Sequence, residues 1–170
     1  MLSIISENLV LIKEKCKSKN KILKELVEML YRQGRITDVE KFYREIISRE
    51  KIQSTGIGNE IAIPHAKSEC VKIISVVICI CKSGLNFNSL DGKPVRLIFL
   101  IAAPSELTKV YLQVVAKIAR ILKTTRWKEK FINCDTEKDV INILQEFDKS
   151  YPDRLKINLA RNGRILLRKK

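Results

Sequence analysis

Residues 49–67 read REKIQSTGIGNEIAIPHAK and hold the only histidine of the chain, His65. Five neighbours are candidates for its chemical environment: an Arg-Glu pair, two glycines and a proline, namely Arg49, Glu50, Gly56, Gly58 and Pro64. Imidazole has an unperturbed pKa near neutral pH and can act as a base, a nucleophile or a ligand. A single histidine excludes a multi-histidine metal site and a histidine dyad. Chemistry at His65 therefore needs helpers of other residue types.

The composition is that of one globular domain. The chain has 170 residues, of which 45% are hydrophobic, enough for a substantial core. No apolar run reaches the roughly 18 residues that a membrane span needs, and residues 1–15 lack the leading basic segment and small-residue cleavage site of a signal peptide. Five cysteines, an odd number, favour a reducing compartment over a disulfide framework. We therefore expect a cytoplasmic protein with no membrane insertion.

The formal net charge of +14 is concentrated towards the C-terminus. Residues 149–170 contain eight basic residues and one acidic residue. After Pro152, apolar residues alternate with polar ones on both sides of Asn162-Gly163, the strongest short signal for a β-hairpin. This segment has no aromatic residue after Tyr151 to stack bases and no evident recognition helix, so no specific nucleic-acid binding is expected. We interpret it as a basic C-terminal hairpin, with self-association or docking of an acidic partner as its hypothetical role.

Hydrophobic periodicity predicts five helices. The spacing of apolar residues indicates a helix over 20–34 that stops at Gly34, and a second that begins at Thr37, where Thr37 and Glu40 have capping-box spacing. This second helix is expected to end near Arg49, which places Arg49 and Glu50 at its C-terminal end. The other predicted helices cover residues 107–122, 127–132 and a last segment capped by Thr136.

Three apolar segments are predicted strands: 61–63, 71–82 and 95–103. Pro64 should end the first, with His65 just beyond it, and Ser83-Gly84 is a turn signal after the second. The continuous VVICIC run of the second strand indicates burial on both faces, with Cys79 and Cys81 on one side as small buried hydrophobes rather than half of a metal site. Helices before, between and after buried strands predict an α/β domain with helices on both sides of a sheet.

The chemistry that residues 49–67 can support is narrow. The Gly56-x-Gly58 pattern does not complete a dinucleotide fingerprint, because the third glycine position is Ile61. What remains is a lone imidazole after a strand, a glycine turn, and an arginine from the end of the preceding helix. A neutral imidazole can accept a phosphoryl group, and an arginine can hold phosphate oxygens bidentately. The residues alone leave two alternatives, a phosphoryl-accepting histidine and a structural histidine in a turn.

The same stretch resembles the active-site signature of the fructose/mannitol-type enzyme IIA domains of the bacterial phosphotransferase system, including its nitrogen-regulatory branch. The similarity continues through residues 85–87, 90–95, 97–103 and 111–122, and it covers residues 1–149. The resemblance implies a mixed β-sheet flanked by helices. It also divides the chain into an enzyme IIA-like phosphocarrier domain, residues 1–149, and the basic C-terminal extension, residues 150–170.

The resemblance further implies a phosphocarrier that uses neither a cofactor nor a metal. His65 would take a phosphoryl group from the histidine phosphocarrier protein and pass it to an enzyme IIB domain during sugar uptake. The alternative is a nitrogen-regulatory protein whose phosphorylation state controls its binding to regulatory partners. Arg49 would orient the phosphate and the Gly56–Gly58 turn would shape the approach to it, with Glu50, Thr55 and Pro64 in supporting positions.

Tyr111 is the one departure from the family pattern. Many members have a second histidine at this position, where a helix begins near the phosphorylated one. A tyrosine hydroxyl can donate a hydrogen bond to a phosphate but carries no positive charge at neutral pH. The alternative is that Tyr111 is a core residue with its hydroxyl at the rim. Of the other polar neighbours, Glu50 is expected to pair with Arg49 rather than with His65, and Lys67 to be a solvated surface lysine rather than an aid to phosphate binding.

Overall fold

The computed structural model describes residues 4–123, 125–151, 157–159 and 165–167. A short 3-10 turn, Glu7–Leu9, leads into the first strand. The elements that follow are, in chain order, β1 Val10–Lys13, α1 Lys19–Arg32, α2 Val39–Ile52, β2 Gly56–Gly58, β3 Ile61–Ala62, β4 His65–Ser68, β5 Ser75–Leu85, β6 Val95–Pro104, α3 Thr108–Lys123, α4 Thr125–Ile132, α5 Glu137–Ser150, β7 Ile157–Leu159 and β8 Ile165–Leu167.

Strands β5 and β6 form the centre of a mixed sheet. They pair with each other antiparallel; β1 adds parallel to β5, and β3 and β4 both run parallel to β6. Strand β2 lies at the far edge, antiparallel to β3. Both faces of the sheet are covered, so the central strands are continuous apolar runs instead of alternating ones.

Two hydrophobic clusters lie on opposite faces of the sheet. Successive residues of β5 alternate between them: Val76, Ile78 and Ile80 belong to the cluster under α3, α4 and α5, whereas Val77 and Cys79 belong to the cluster under α1 and α2. The α/β class with helices on both sides of a mixed sheet is thereby confirmed. The prediction that Cys79 and Cys81 share one side is also confirmed, since both are fully buried in the second cluster.

The predicted start of α2 is wrong by one residue. Asp38, not Thr37, is the N-cap, and its carboxylate accepts a 2.8 Å hydrogen bond from the backbone N–H of Lys41. The backbone N–H and the hydroxyl of Thr37 both donate to the backbone carbonyl of Cys70. A threonine engaged in this way cannot also cap. The helix also continues past the predicted Arg49 to Ile52.

The second predicted strand, 71–82, is displaced in the structure. Strand β5 begins at Ser75 and runs through the predicted Ser83-Gly84 turn to Leu85. The pairing with β6 becomes irregular between Ile80 and Leu85, and Gly84 takes a φ of 77° there. A Cβ on Gly84 would lie 2.9 Å from Pro94. The glycine therefore allows an irregularity within the strand rather than a turn that ends it.

The remaining helix signals are confirmed. Gly34 has a φ of 64° directly after α1, as a helix-terminating glycine should. Thr136 caps α5 in a reciprocal capping box with Asp139. No helix among the described residues combines the length and apolar character of a membrane span.

The C-terminal extension is described only in part. Strands β7 and β8 pair antiparallel with Asn158 opposite Leu166. The predicted Asn162-Gly163 turn lies outside the described residues, so the hairpin as a whole stays a prediction.

Loss of the α2 cap should destabilise the domain. We expect Asp38→Ala to lower the free energy of unfolding by about 1 kcal/mol, because the N–H of Lys41 loses its acceptor at the helix start. Asp38→Asn retains an acceptor oxygen and should stay within roughly 0.5 kcal/mol of the wild type. Urea denaturation of the three proteins measures this. Equal losses for Ala and Asn would show that the carboxylate stabilises the protein by some other contact.

Candidate active site

His65 lies just beyond strand β3, as predicted, but it is also the first residue of a further strand, β4, which the sequence did not predict. Strand β4 pairs parallel with β6, with His65 opposite Ile101. Pro64 separates β3 from β4, because a proline has no N–H for the ladder, but its carbonyl still accepts the N–H of Ile101 at 2.9 Å. Strands β3 and β4, on either side of Pro64, are thus both fixed on β6. This places the half-buried imidazole at a defined position on the sheet.

The hydrogen bonds of the imidazole define its protonation. Nδ1 lies 2.8 Å from the carbonyl oxygen of Ile63, and Nε2 lies 3.1 Å from Nε of Arg49. A carbonyl oxygen can only accept and the arginine nitrogen can only donate. The proton of a neutral ring is therefore assigned to Nδ1, which leaves the lone pair on Nε2. Nε2 is the nucleophilic atom, and it faces Arg49.

The surroundings keep this ring neutral. Burial lowers the pKa of His65, and the positive charge of Arg49 lowers it further. The Ile63 carbonyl and the carboxylate of Glu50 act in the opposite direction, but the net pKa is below the ordinary value. A neutral imidazole with an unprotonated Nε2 is the form that attacks an electrophile, and here Arg49 must first release the hydrogen bond that it donates to this nitrogen.

Arg49 is held in place from its own helix. It lies in the last turn of α2, and its Nη1 donates to the carbonyl of Gln53 at 2.9 Å. This second bond orients the guanidinium towards His65. The sequence prediction that the end of this helix brings an arginine to the histidine agrees with this geometry.

The predicted pairing of Glu50 with Arg49 is wrong. The Glu50 carboxylate accepts from the N–H and hydroxyl of Thr55, at 2.8 and 2.6 Å, and forms a 2.6 Å ion pair with Lys19. Consecutive helix positions point about 100° apart. The side chain of Glu50 therefore points into the protein, whereas that of Arg49 points to His65. Burial alone would raise the pKa of Glu50, but the Lys19 and Thr55 hydrogen bonds outweigh it and lower the pKa.

The buried Glu50–Thr55 pair is connected to the imidazole through the backbone. The carbonyl of Thr55 accepts the N–H of Ile63 at 2.9 Å, and the carbonyl of Ile63 is the acceptor of His65 Nδ1. Glu50 and Thr55 therefore fix the peptide that sets the tautomer. Lys19 was not found by sequence reasoning, because it lies in the first turn of α1 and no local pattern connects it to residue 50.

Gly56 and Gly58 form strand β2 rather than the predicted turn; the turn is made by Asn59 and Glu60, with φ values of 52° and 66°. A Cβ on Gly56 would lie 2.9 Å from the backbone of Ser89, so only glycine lets that loop approach. Gly58 has a φ of 92°, which favours glycine as well.

Tyr111 lies beside the histidine. The two ring centroids are 5.9 Å apart with a 43° angle between the planes. The side chain is half-buried, and burial raises the pKa of its hydroxyl. Within the part of the chain that the structure describes, this hydroxyl makes no hydrogen bond. Both interpretations of Tyr111, as a packing residue and as a hydrogen-bond donor to a phosphate, are compatible with this position.

A cavity of about 750 Å³ opens next to these rings. His65, Lys67 and Tyr111 line one side of it, and six residues of α2 line the other: Lys41, Arg44, Glu45, Ser48, Arg49 and Ile52. Lys67 is exposed, as predicted, and donates to the hydroxyl of Thr108 at 3.2 Å. The α2 residues recur at helical spacing, a signal that was present in the sequence but not used.

Comparison with known proteins gives consistent matches. The family model for EIIA 2 of the phosphoenolpyruvate-dependent sugar phosphotransferase system matches residues 3–147. The PTS system fructose-specific EIIABC component of Bacillus subtilis is 29% identical over 86% of this chain, which spans only 23% of that relative. The nitrogen regulatory protein of Pseudomonas aeruginosa is 30% identical, with 75% of this chain and 82% of the relative covered.

A solved structure agrees with these matches. Nitrogen regulatory protein IIA-Ntr from Neisseria meningitidis superposes with a TM-score of 0.78 at 27% identity, covering 84% of this chain and 97% of that one. The similarity thus extends over the α/β part of the chain, including the whole of the His65 site.

The single histidine makes its pKa directly measurable. We expect NMR titration to give His65 a pKa below the ordinary value, with nitrogen shifts of the Nδ1–H tautomer at neutral pH. Arg49→Gln should raise this pKa, since a neighbouring cation is removed. Arg49→Lys keeps the charge and serves as the control. An ordinary pKa in the wild type would contradict the burial argument.

Proposed function

The chain belongs to the EIIA 2 family of the phosphoenolpyruvate-dependent sugar phosphotransferase system, and on that premise we propose that it is a phosphocarrier that holds a phosphoryl group on Nε2 of His65. One observation carries this proposal. The ring proton is tied to the Ile63 carbonyl, while the Nε2 lone pair faces Arg49 at an open cavity. A merely structural histidine would not need its second nitrogen directed at a cation beside open space.

The transfer uses groups already in position. The Nε2 lone pair attacks the phosphorus of a phosphohistidine on the donor, the new P–N bond forms, and the donor P–N bond breaks with its electron pair returning to the donor imidazole. The Nδ1 proton stays in its bond to Ile63, which supports the positive charge that the ring gains. Arg49 changes its acceptor from Nε2 to the phosphoryl oxygens, where its planar donors fit. Onward transfer reverses these steps towards the next acceptor.

The donor in this proposal is the small histidine phosphocarrier protein, and the acceptor is an enzyme IIB domain that serves sugar uptake. The name of the Bacillus subtilis relative, a fructose-specific EIIABC component, supports an acceptor of this kind. Arg49 acts on the phosphoryl group, whereas Glu50, Thr55, Gly56, Gly58 and Pro64 position the segment that carries His65.

A regulatory role is the second candidate. It is favoured by the 30% identity with a nitrogen regulatory protein and by the superposition on IIA-Ntr. In that role the same phosphorylation changes which protein the chain binds. A pull-down with phosphorylated and unphosphorylated protein separates the two: an enzyme IIB as the captured partner supports transport, and a kinase or channel supports regulation.

We also propose that residues 1–149 form the phosphocarrier domain and that residues 150–170 are a separate basic extension. The family match, which ends at residue 147, supports this boundary. Self-association or docking of an acidic partner is the hypothesis for the role of this extension.

Phosphorylation is tested by incubation with phosphoenolpyruvate, enzyme I and the histidine phosphocarrier protein. We expect acid-labile phosphate on the wild type, because phosphohistidine is acid-labile, and none on His65→Ala. Arg49→Gln should be labelled at least about tenfold more slowly, since a charge-assisted hydrogen bond to the phosphoryl group is lost. An unlabelled wild type, or a labelled His65→Ala, would contradict the proposal.

Tyr111 is tested through the lifetime of phospho-His65. We expect Tyr111→Phe, which keeps the packing ring, to shorten that lifetime by roughly two- to tenfold, the value of one hydrogen bond from the hydroxyl to the phosphate. The measurement is the rate of phosphate release at neutral pH after removal of the donor. An unchanged rate would assign Tyr111 to packing alone.

A further inference from the structure

A second cavity opens near the start of β6, away from His65. It has a volume of about 370 Å³ and shares no described lining residue with the cavity at His65. Whereas His65 pairs with Ile101, this cavity is lined by Arg96, roughly 17 Å earlier along the strand at about 3.4 Å per residue. Its volume lies in the range of small-molecule sites. We call it the Arg96 cavity.

Cations outnumber carboxylates in the lining of the Arg96 cavity. The cations are Lys93, Arg96 and Lys128, and Glu60 is the one carboxylate among the described lining residues. Glu60 contacts two of these cations: its Oε2 lies 2.9 Å from Nζ of Lys128, and its Oε1 lies 3.7 Å from Nη1 of Arg96. Three cations and one carboxylate leave the lining with two positive charges in excess.

Two further carboxylates lie close by but outside the lining. Glu129 is 3.5 Å from Nζ of Lys128 and its side chain is half-exposed, so this ion pair contributes little. Asp91 accepts two backbone N–H groups, one from the β2–β3 turn and one from its own loop. Neither carboxylate contacts the Arg96 guanidinium within the described residues. Arg96 is therefore left with only the long contact to Glu60.

Two of the three cations have donors to spare. Nε of Arg96 donates to the carbonyl of Lys82 at 2.9 Å, which holds the guanidinium in place. Its terminal nitrogens make no hydrogen bond within the described residues, since Glu60 is too far from Nη1 at 3.7 Å. Lys93 is exposed, and its ammonium makes no ion pair in this part of the chain. A planar fork and an ammonium are thus available to a ligand.

The turn that carries Glu60 has an unfavourable backbone conformation. Asn59 and Glu60 take φ values of 52° and 66° between β2 and β3, and glycine is the usual residue at the second position of such a hairpin turn. Glycine would relieve the backbone but would supply no carboxylate to fix Lys128, whose side chain is only 14% exposed. The turn therefore keeps an internal anion that holds a cation in the lining in position.

We propose that the Arg96 cavity binds the phosphate group of a small phosphomonoester, with two phosphate oxygens on the Arg96 fork and the others towards Lys93 and Lys128. A phosphomonoester carries up to two negative charges near neutral pH, which matches the excess in the lining, whereas a carboxylate carries one. No aromatic side chain is among the described lining residues, so a nucleic-acid base would find no stacking partner.

The experiment titrates the full, isotope-labelled chain with three probes at pH 8 and constant ionic strength. Glycerol 2-phosphate, glycerate and glycerol share three carbon atoms and carry a phosphomonoester, a carboxylate and no charge. Nuclear magnetic resonance follows the backbone amides. Those of Glu60, Gly84 and Arg96 report on the Arg96 cavity, and those of His65 and Ala66 report separately on binding at the other cavity.

We expect glycerol 2-phosphate to shift the amide signals of the Arg96 cavity in a saturable way, with a dissociation constant below about 1 mM, because it gains charge-assisted hydrogen bonds from three cations. Glycerate should bind there at least about tenfold more weakly, since it has half the charge and fewer acceptor oxygens. Glycerol should cause no saturable shift.

Two substitutions of the lining test the assignment of its cations. Arg96→Gln should weaken the binding of glycerol 2-phosphate at least about tenfold, because the fork is lost. Lys93→Gln should weaken it at least about threefold, whereas Lys93→Arg keeps the charge and should stay within about twofold of the wild type. The matched control is Lys149→Gln, which removes an exposed lysine of α5 and should leave the binding unchanged.

The Lys93 variants keep the proposal testable if Arg96→Gln fails to fold, which circular dichroism detects. Lys93 is exposed and makes no ion pair within the described residues, so its substitution should leave the fold intact. Absence of a saturable shift at the Arg96 cavity, or shifts confined to the cavity at His65, would overturn the proposal. So would equal binding of glycerate, or an equal loss in Lys149→Gln, since total charge would then decide.

This inference does not depend on the proposed phosphocarrier function, because binding is measured on unphosphorylated protein and no phosphoryl group is transferred. A chain that is labelled on His65 but does not bind glycerol 2-phosphate at the Arg96 cavity would contradict only the inference about this cavity.

Discussion

The hydrogen bond from His65 Nδ1 to the carbonyl of Ile63 is the interaction on which the site depends. It places the only ring proton on the inner nitrogen and so leaves the outer nitrogen nucleophilic. The acceptor is a backbone group two residues away, and its direction is fixed because the N–H of the same residue is bound to Thr55 and because Pro64 is bound to β6. The tautomer is thus a consequence of the sheet and of the β2–β3 segment together.

Helix α2 connects this backbone arrangement to the core, because one side of the helix is buried and its last turn reaches His65. Phe42 and Ile46 lie in the core, and Glu50 continues that side as a buried carboxylate bound to Lys19 and Thr55. Arg49 faces the imidazole from the last helical turn. A rotation of the helix about its axis would disturb all of these contacts at once. The buried ion pair of Glu50 therefore also determines how Arg49 meets His65, although Glu50 does not touch the ring.

The sequence predicts the fold well where a signal is local and repeated. The apolar runs of β5 and β6 and the helical spacing in α1, α3 and α5 identify the α/β architecture. The errors occur where tertiary contacts decide. Thr37 is a residue type that caps helices, but it is hydrogen-bonded to Cys70. Ser83-Gly84 is a typical turn sequence, but it lies within β5, which pairing with β6 continues to Leu85. At the site, His65 and Arg49 follow from the motif, whereas the partner of Glu50 is Lys19, 31 positions earlier, which no local pattern reveals.

Arg49 must satisfy two requirements that a single cation can meet. Before transfer its charge helps to keep the imidazole unprotonated, since a second positive charge next to it is unfavourable. After transfer the proposed phosphoryl group adds about two negative charges at the same place, and the same guanidinium then becomes their counter-charge. A neutral donor would do neither, and a carboxylate would raise the pKa of His65 and repel the phosphate. Before transfer, burial of the ring and the charge of Arg49 both favour the neutral imidazole. After transfer Arg49 supplies the counter-charge, and its hydrogen bond to Gln53 holds it where both tasks can be done.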